Sequence, residues 1–213
     1  MMRNRVVALV GATALVTPLL PLAVAPASAE VDAPVTPRTS KVVLKDATAD
    51  VWYWNDVDYV FRGEHPRADV LRATARHGAR KVVATMAFAK LVKGDIQRFD
   101  LKIRTTEMVR VARVGVSAEA PTGRMVLEKK NGTEVSAKGV THRVDFADDR
   151  VTIAVPRRLL DRPGWVEVAM RNSRIAYSDP NEKMYLDHPQ GEWLLTFPAW
   201  RKNPPYSARI HTP

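Results

Sequence analysis

The sequence predicts an all-β chain folded as a two-sheet antiparallel β-sandwich of jelly-roll-like kind. Three observations carry that expectation. From Lys41 onward apolar residues recur at every second position, the period of a strand with one buried face. No stretch longer than a turn or two carries an apolar stripe at helical spacing. The alternating stretches are short and are separated by clusters of Gly, Pro, Asn and Asp, so about nine or ten strands follow one another at the spacing typical of sandwiches. A closed β-barrel is the rival architecture, because periodicity does not distinguish one sheet rolled up from two sheets stacked.

The N-terminus reads as an export signal over residues 1–29. Arg3 and Arg5 give a positive start, Val6 to Ala25 is almost wholly apolar, and Ala27-Ser28-Ala29 offers the small residues of a cleavage site. No pair of arginines marks the twin-arginine route, and the absence of Cys excludes a lipid-anchored form. Cleavage before Glu30 removes two arginines, so the formal charge falls from +10 to +8. No membrane span is expected to remain. Residues 30–40, with two prolines, read as a disordered lead-in, and residues 41–213 as a single domain able to bury a full core. An exported domain without Cys must hold together by packing and hydrogen bonds.

Within the domain, Lys41 to Leu44 and Val51 to Trp54 open the series. Leu71, Ala73 and Ala75 alternate with Arg72, Thr74 and Arg76, and after His77-Gly78-Ala79 the chain returns through Val82 to Leu91, a hairpin. Phe99, Leu101, Ile103 and Thr105 face one way, with Asp100, Lys102 and Arg104 opposite. Val109 and Val111 continue the apolar phase, which slips before Val114 and Val116, so a bulge is predicted near Ala112. Asn131-Gly132, between Met125 to Lys130 and Thr133 to Ser136, predicts a two-residue hairpin turn that sets Lys129 opposite Glu134. Strands are then expected at Val140 to Phe146, Arg150 to Val155 and Trp165 to Met170, with a helical turn over Arg157 to Asp161. The segment from Asp179 to Pro213 reads as loops plus a last strand at Trp193 to Phe197.

Asp46-Ala47-Thr48-Ala49-Asp50-Val51, together with Val155-Pro156 through Leu160, Pro163 and Trp165-Val166, resembles a group of actinobacterial secreted proteins of unknown function. The first of these stretches is also loosely similar to β-sandwich modules of the carbohydrate-binding and DOMON type, whose first strand often opens with Asp-x-x-Gly-Asp; Ala49 stands here where that pattern has Gly. The resemblance implies a secreted sandwich and carries no known activity.

Chemistry is constrained more by exclusion than by motif. Without Cys there is no thiol catalysis. The histidines, at 65, 77, 142, 188 and 211, show no spacing that would form a local zinc pair, and Val114-Gly115-Val116-Ser117-Ala118 lacks the second Gly of a serine-nucleophile elbow. No catalytic residue is assigned. Asp46, Asp50, Asp56 and Asp58 gather hard oxygen ligands in a short stretch and suit calcium, the one cofactor the sequence suggests. Trp52, Tyr53 and Trp54 are consecutive, so an extended strand aims Tyr53 away from both tryptophans, leaving one side as a candidate sugar platform. Arg72, Arg76, Lys102, Arg104, Arg110 and Arg113 fall on expected outward positions and are read as one basic sheet face. These readings imply an exported, monomeric, non-catalytic module, extracellular or wall-associated, for an anionic or carbohydrate component of the cell envelope. No specific nucleic acid is expected, since no reader motif occurs. The alternative is a secreted hydrolase whose site is assembled from scattered residues.

Overall fold

A computed structural model describes residues 39–54, 59–176, 183–187, 189 and 205–213. The expected signal, the lead-in up to residue 38 and the expected strand at Trp193 to Phe197 lie outside the described residues. In chain order the strands are β1 (Lys41–Lys45), β2 (Val51–Trp54), β3 (Tyr59–Gly63), β4 (Val70–His77), β5 (Lys81–Phe88), β6 (Ile96–Arg104), β7 (Val109–Val116), β8 (Arg124–Lys129), β9 (Glu134–Val135), β10 (Thr141–Asp145), β11 (Arg150–Pro156), β12 (Trp165–Ala176), β13 (Lys183–Asp187) and β14 (Ile210–His211). The helical turn is a 3-10 turn over Arg157–Leu160, entered from Pro156 and closed by Asp161 at φ 56°. No helix among the described residues is long and apolar enough to cross a membrane.

The strands form two antiparallel sheets, and the chain is a sandwich, not a closed barrel. The smaller sheet has the order β1-β4-β5-β11-β10, and the larger runs β3-β2-β13-β12-β6-β7-β8-β9, with β14 joining β12 off that path. Period-two alternation supplies the core. Phe99, Leu101 and Ile103 of β6, Ala112 and Val114 of β7, and Val166 and Val168 of β12 face Ala73 of β4, Val82 of β5 and Val151, Ile153 and Val155 of β11, all fully buried. Phe88 meets Phe99 edge-on across the two sheets, with ring centroids 5.4 Å apart.

Among the described residues fourteen strands replace the nine or ten expected; β3, β13 and β14, each of five residues or fewer, lie where no strand was read. Thr39 and Ser40, assigned to the lead-in, belong to the fold: their carbonyls accept from the N–H groups of His211 (2.8 Å) and His77 (3.0 Å). Ile210 is fully buried, and its carbonyl lies 3.0 Å from Nδ1 of His77. The C-terminal segment thus closes one end of the sandwich, paired to β12 of the larger sheet and bonded to residues of the smaller.

The predicted bulge near Ala112 does not form. The β6–β7 register runs unbroken from Gln97↔Val116 to Arg104↔Val109, so Val109 and Val111 lie on the outer side and Arg110 on the inner side, opposite Ile103 at the sandwich end. Ala112, Val114 and Val116 set the phase, since a one-residue slip would expose all three. A register shift occurs instead between Val70 and Arg72: Val70 is buried, and Leu71, expected inside, is the extra residue and 37% exposed. The Asn131-Gly132 turn is also longer than predicted. Gly132 N–H donates to the Lys129 carbonyl (3.0 Å) and Lys129 N–H to the Thr133 carbonyl (2.8 Å), with φ 84° at Gly132 alone. That is a three-residue loop with a glycine bulge, and it moves the pairing by one residue, so Glu128, not Lys129, stands opposite Glu134.

Candidate functional site

The six cations expected on one face are divided between two. Alternation fixes which side of its own sheet a residue takes, and β4 lies in a different sheet from β6 and β7. Arg72 and Arg76 sit on the outer face of the smaller sheet. Lys102, Arg104 and Arg113 sit on the outer face of the larger sheet, and Arg110 points to the inner side.

The smaller sheet's outer face can be read row by row from its registers. One row runs Lys45, Arg72, Ala87, Arg150, Asp145; the next runs Val43, Thr74, Thr85, Thr152, Arg143; a third runs Lys41, Arg76, Val83, Ala154, Thr141. Its centre is therefore small or hydroxylated and its surround is cationic. Thr85 and Thr152 hydroxyls lie 3.1 Å apart. Arg72 and Arg150 flank Ala87 from neighbouring strands, which places their backbones about 10 Å apart across the sheet. Between them lies a shallow depression of about 280 Å³, lined by Lys41, Arg72, Thr74, Thr85, Ala87 and Arg150. Asp145, the one acid in these rows, pairs with Arg143 at 2.5 Å. Lys41, Lys45, Arg72, Arg76, Lys81 and Arg150 are exposed and form no ion pair among the described residues.

The larger sheet treats its cations differently. Asp100, 5% exposed, receives Arg113 Nε at 2.9 Å, Arg171 Nε at 3.2 Å and the ion pair with Arg98 at 3.5 Å. Burial alone would raise its carboxyl, but the Arg171, Arg98 and Arg113 charges outweigh that and hold it below the ordinary carboxylate value. Arg113 also reaches Glu128 at 2.6 Å, and Arg104 Nε reaches Glu167 at 2.5 Å. The Tyr206 ring lies 4.1 Å from the Arg104 guanidinium and 5.4 Å from the Lys102 ammonium.

A second cluster is acidic and was only half legible. Asp46 and Asp50, in the loop between β1 and β2, meet Asp187 at the end of β13, each offering an oxygen within 4.8 Å of the others. Asp56 and Asp58 lie outside the described residues, and Asp187 was missed because the fold, not spacing, brings it there. Asp187 Oδ2 accepts from the Val70 N–H at 2.5 Å. Asp69, 5% exposed, accepts from the Ala49 N–H through Oδ2 at 3.1 Å, while its Oδ1 is buried with no hydrogen-bond partner. Burial, and next the Asp69 charge, push Asp50 up to about 6. Ala49 adopts φ 63°, a conformation that glycine takes freely.

Trp52 and Trp54 share the outer side of the larger sheet with Leu186 and Met184, opposite Tyr53, as alternation requires; all three rings are partly buried. Tyr53 turns inward against Tyr185, ring centroids 5.7 Å apart. Ser117 donates its hydroxyl to Glu119 at 2.7 Å within a turn, and His142 Nε2 lies 3.0 Å from the Thr122 carbonyl. Neither contact is a nucleophile–base pair. Comparison of the chain with protein-family models, curated proteins and solved structures yields no match.

Proposed function

We propose that the chain is an exported, non-catalytic binding module that holds an anionic polymer of the cell envelope on the outer face of its smaller sheet. One observation carries the reading: six exposed cations surround a floor of threonine and alanine, and none of the six is ion-paired among the described residues. Guanidinium forks and hydroxyls are the donors that phosphate and carboxylate groups accept from. Arg72 and Arg76 recur about 13 Å apart along β4, so a chain of anionic units can engage several cations at once. Attraction through exposed charges is screened by salt, whereas stacking of a sugar on Trp52 or Trp54 would not be.

The test is co-sedimentation with purified cell wall, and with long-chain polyphosphate, polygalacturonate and neutral glucan, across a salt series. Retention on the anionic materials should fall steeply with salt. Arg72→Glu combined with Arg150→Glu should weaken it about tenfold or more at low salt. Arg104→Glu, on the larger sheet, should leave it near the wild-type level. Equal loss from both faces, or retention on neutral glucan alone, would overturn the reading.

A further inference from the structure

We propose that Asp46, Asp50 and Asp187 bind a calcium ion, with Asp69 beside them, and that this ion ties the β1–β2 loop to β13. The carboxylates come from separate parts of the chain, and the fold gathers them although they repel one another. The three oxygens lie within 4.8 Å of each other. That is the span of a calcium shell, since two oxygens on opposite sides of the ion at about 2.4 Å are about 4.8 Å apart. Repulsion on this scale requires compensation, and the described residues supply none to Asp50 or Asp69, neither of which forms an ion pair with Lys or Arg.

Asp69 is the independent observation. Its side chain is 95% buried, anchored by Oδ2 to the N–H of Ala49, the residue next to Asp50, yet Oδ1 has no donor. Asp50 Oδ1 is likewise buried without a partner. A buried carboxylate oxygen left without a donor is costly, more so when charged; a cation held by the triad would satisfy Asp50 directly and offset the charge of Asp69 beside it. Three carboxylates give up to six oxygens if each binds through both, water completes the shell, and hard oxygens without nitrogen or sulfur favour calcium over zinc. Magnesium demands near-ideal octahedral geometry and gives up its waters reluctantly, so a set of loop and strand-end carboxylates favours calcium.

Thermal unfolding and titration calorimetry of the purified protein decide the matter. Relative to chelator, 2 mM calcium at constant ionic strength should raise Tm by about 5 °C for a dissociation constant on the order of 10⁻⁴ M, and magnesium should do less. Asp50→Asn and Asp187→Asn should each abolish the rise. Asp50→Asn in chelator should melt no lower than the wild type, because it removes repulsion, which separates loss of the site from loss of the fold. No rise at 10 mM calcium, an equal rise from magnesium, or an undiminished rise in Asp50→Asn would each overturn the proposal.

Discussion

Replacing Asp100 by Asn is the sharpest test of how the larger sheet carries its arginines. The carboxylate is 5% exposed and meets Arg113, Arg171 and Arg98 through its two oxygens. Asn keeps one acceptor and turns an NH2 toward a guanidinium, so at least one oxygen's set of charge-assisted bonds is lost and a donor faces a donor. Each such bond contributes about 1.5–3 kcal/mol. The arginine side chains are 23–42% exposed and retain access to water, which reduces the loss. The expected cost is about 3–4 kcal/mol, within the range for breaking a buried ion pair. With a urea m-value of about 2 kcal/mol/M, the unfolding midpoint at pH 7 should fall by about 1.5–2 M. The sign of the pH dependence follows from the depressed carboxyl: its contribution is present above pH 3.8 and is lost as pH falls through the lower folded value, so the gap between wild type and variant should close there. The variant should also gain retention on polyphosphate, since Arg98 and Arg171 lose their carboxylate. A loss under about 1 kcal/mol with no gain in retention would refute the argument that Asp100 neutralises this face.

His77 should couple the C-terminal strand to pH. Its Nδ1 can only donate to the Ile210 carbonyl, so the buried Nε2 carries the lone pair, without a partner. Burial, opposed by that carbonyl and reinforced by Arg157 and His211, lowers its pKa below 6.5. The unfolded chain therefore takes up a proton that the folded one refuses: stability should fall as pH drops through 6.5 and level off below the folded value. His77→Asn, compared with wild type from pH 7.5 to 5 by urea midpoint, should lose that slope; parallel curves would exclude His77 as its source. Among the glycines, Gly123→Ala should cost about 3 kcal/mol, because its Cβ would stand 2.7 Å from Val114 Cγ1 at φ +92°. Gly132→Ala, with open space around it at φ +84°, should cost only about 1 kcal/mol. Similar thermal shifts for the two would contradict the packing drawn around Val114.

Alternation made much of the core legible. Phe99, Leu101 and Ile103 point inward as read, and Tyr53 stands opposite Trp52 and Trp54. It failed where one residue changed the phase. Leu71 is as apolar as the valine before it, and only the fit of Val70 in the core decides which of the two becomes the extra residue. Val109 and Val111 misled in the opposite way, because valine suits the outer face of a strand about as well as the inner one. The acidic cluster was half legible for a different reason. Asp46 and Asp50 are local, but Asp187 joins them through the pairing of β13 with β2 and β12, and its bond to Val70 spans 117 residues.

The basic face shows what no periodicity supplies, namely which sheet a strand joins. A cationic surface that serves solubility alone needs net charge and no arrangement. The larger sheet fits that minimal requirement, since Asp100, Glu128 and Glu167 lie between its arginines and quench them in pairs. The smaller sheet places Thr74, Thr85, Ala87 and Thr152 at the equivalent intervening positions, all too short to reach a guanidinium as an anion would. Charge left unquenched there is repulsive within the fold and weakens it. Apart from Arg143, which pairs with Asp145, the smaller sheet leaves its outer arginines unpaired among the described residues where the larger sheet pairs Arg104 and Arg113, and solubility, which both arrangements satisfy, does not account for the difference. The proposed external anion would, because it would supply a carboxylate or phosphate to Arg72, Arg76 and Arg150 from outside.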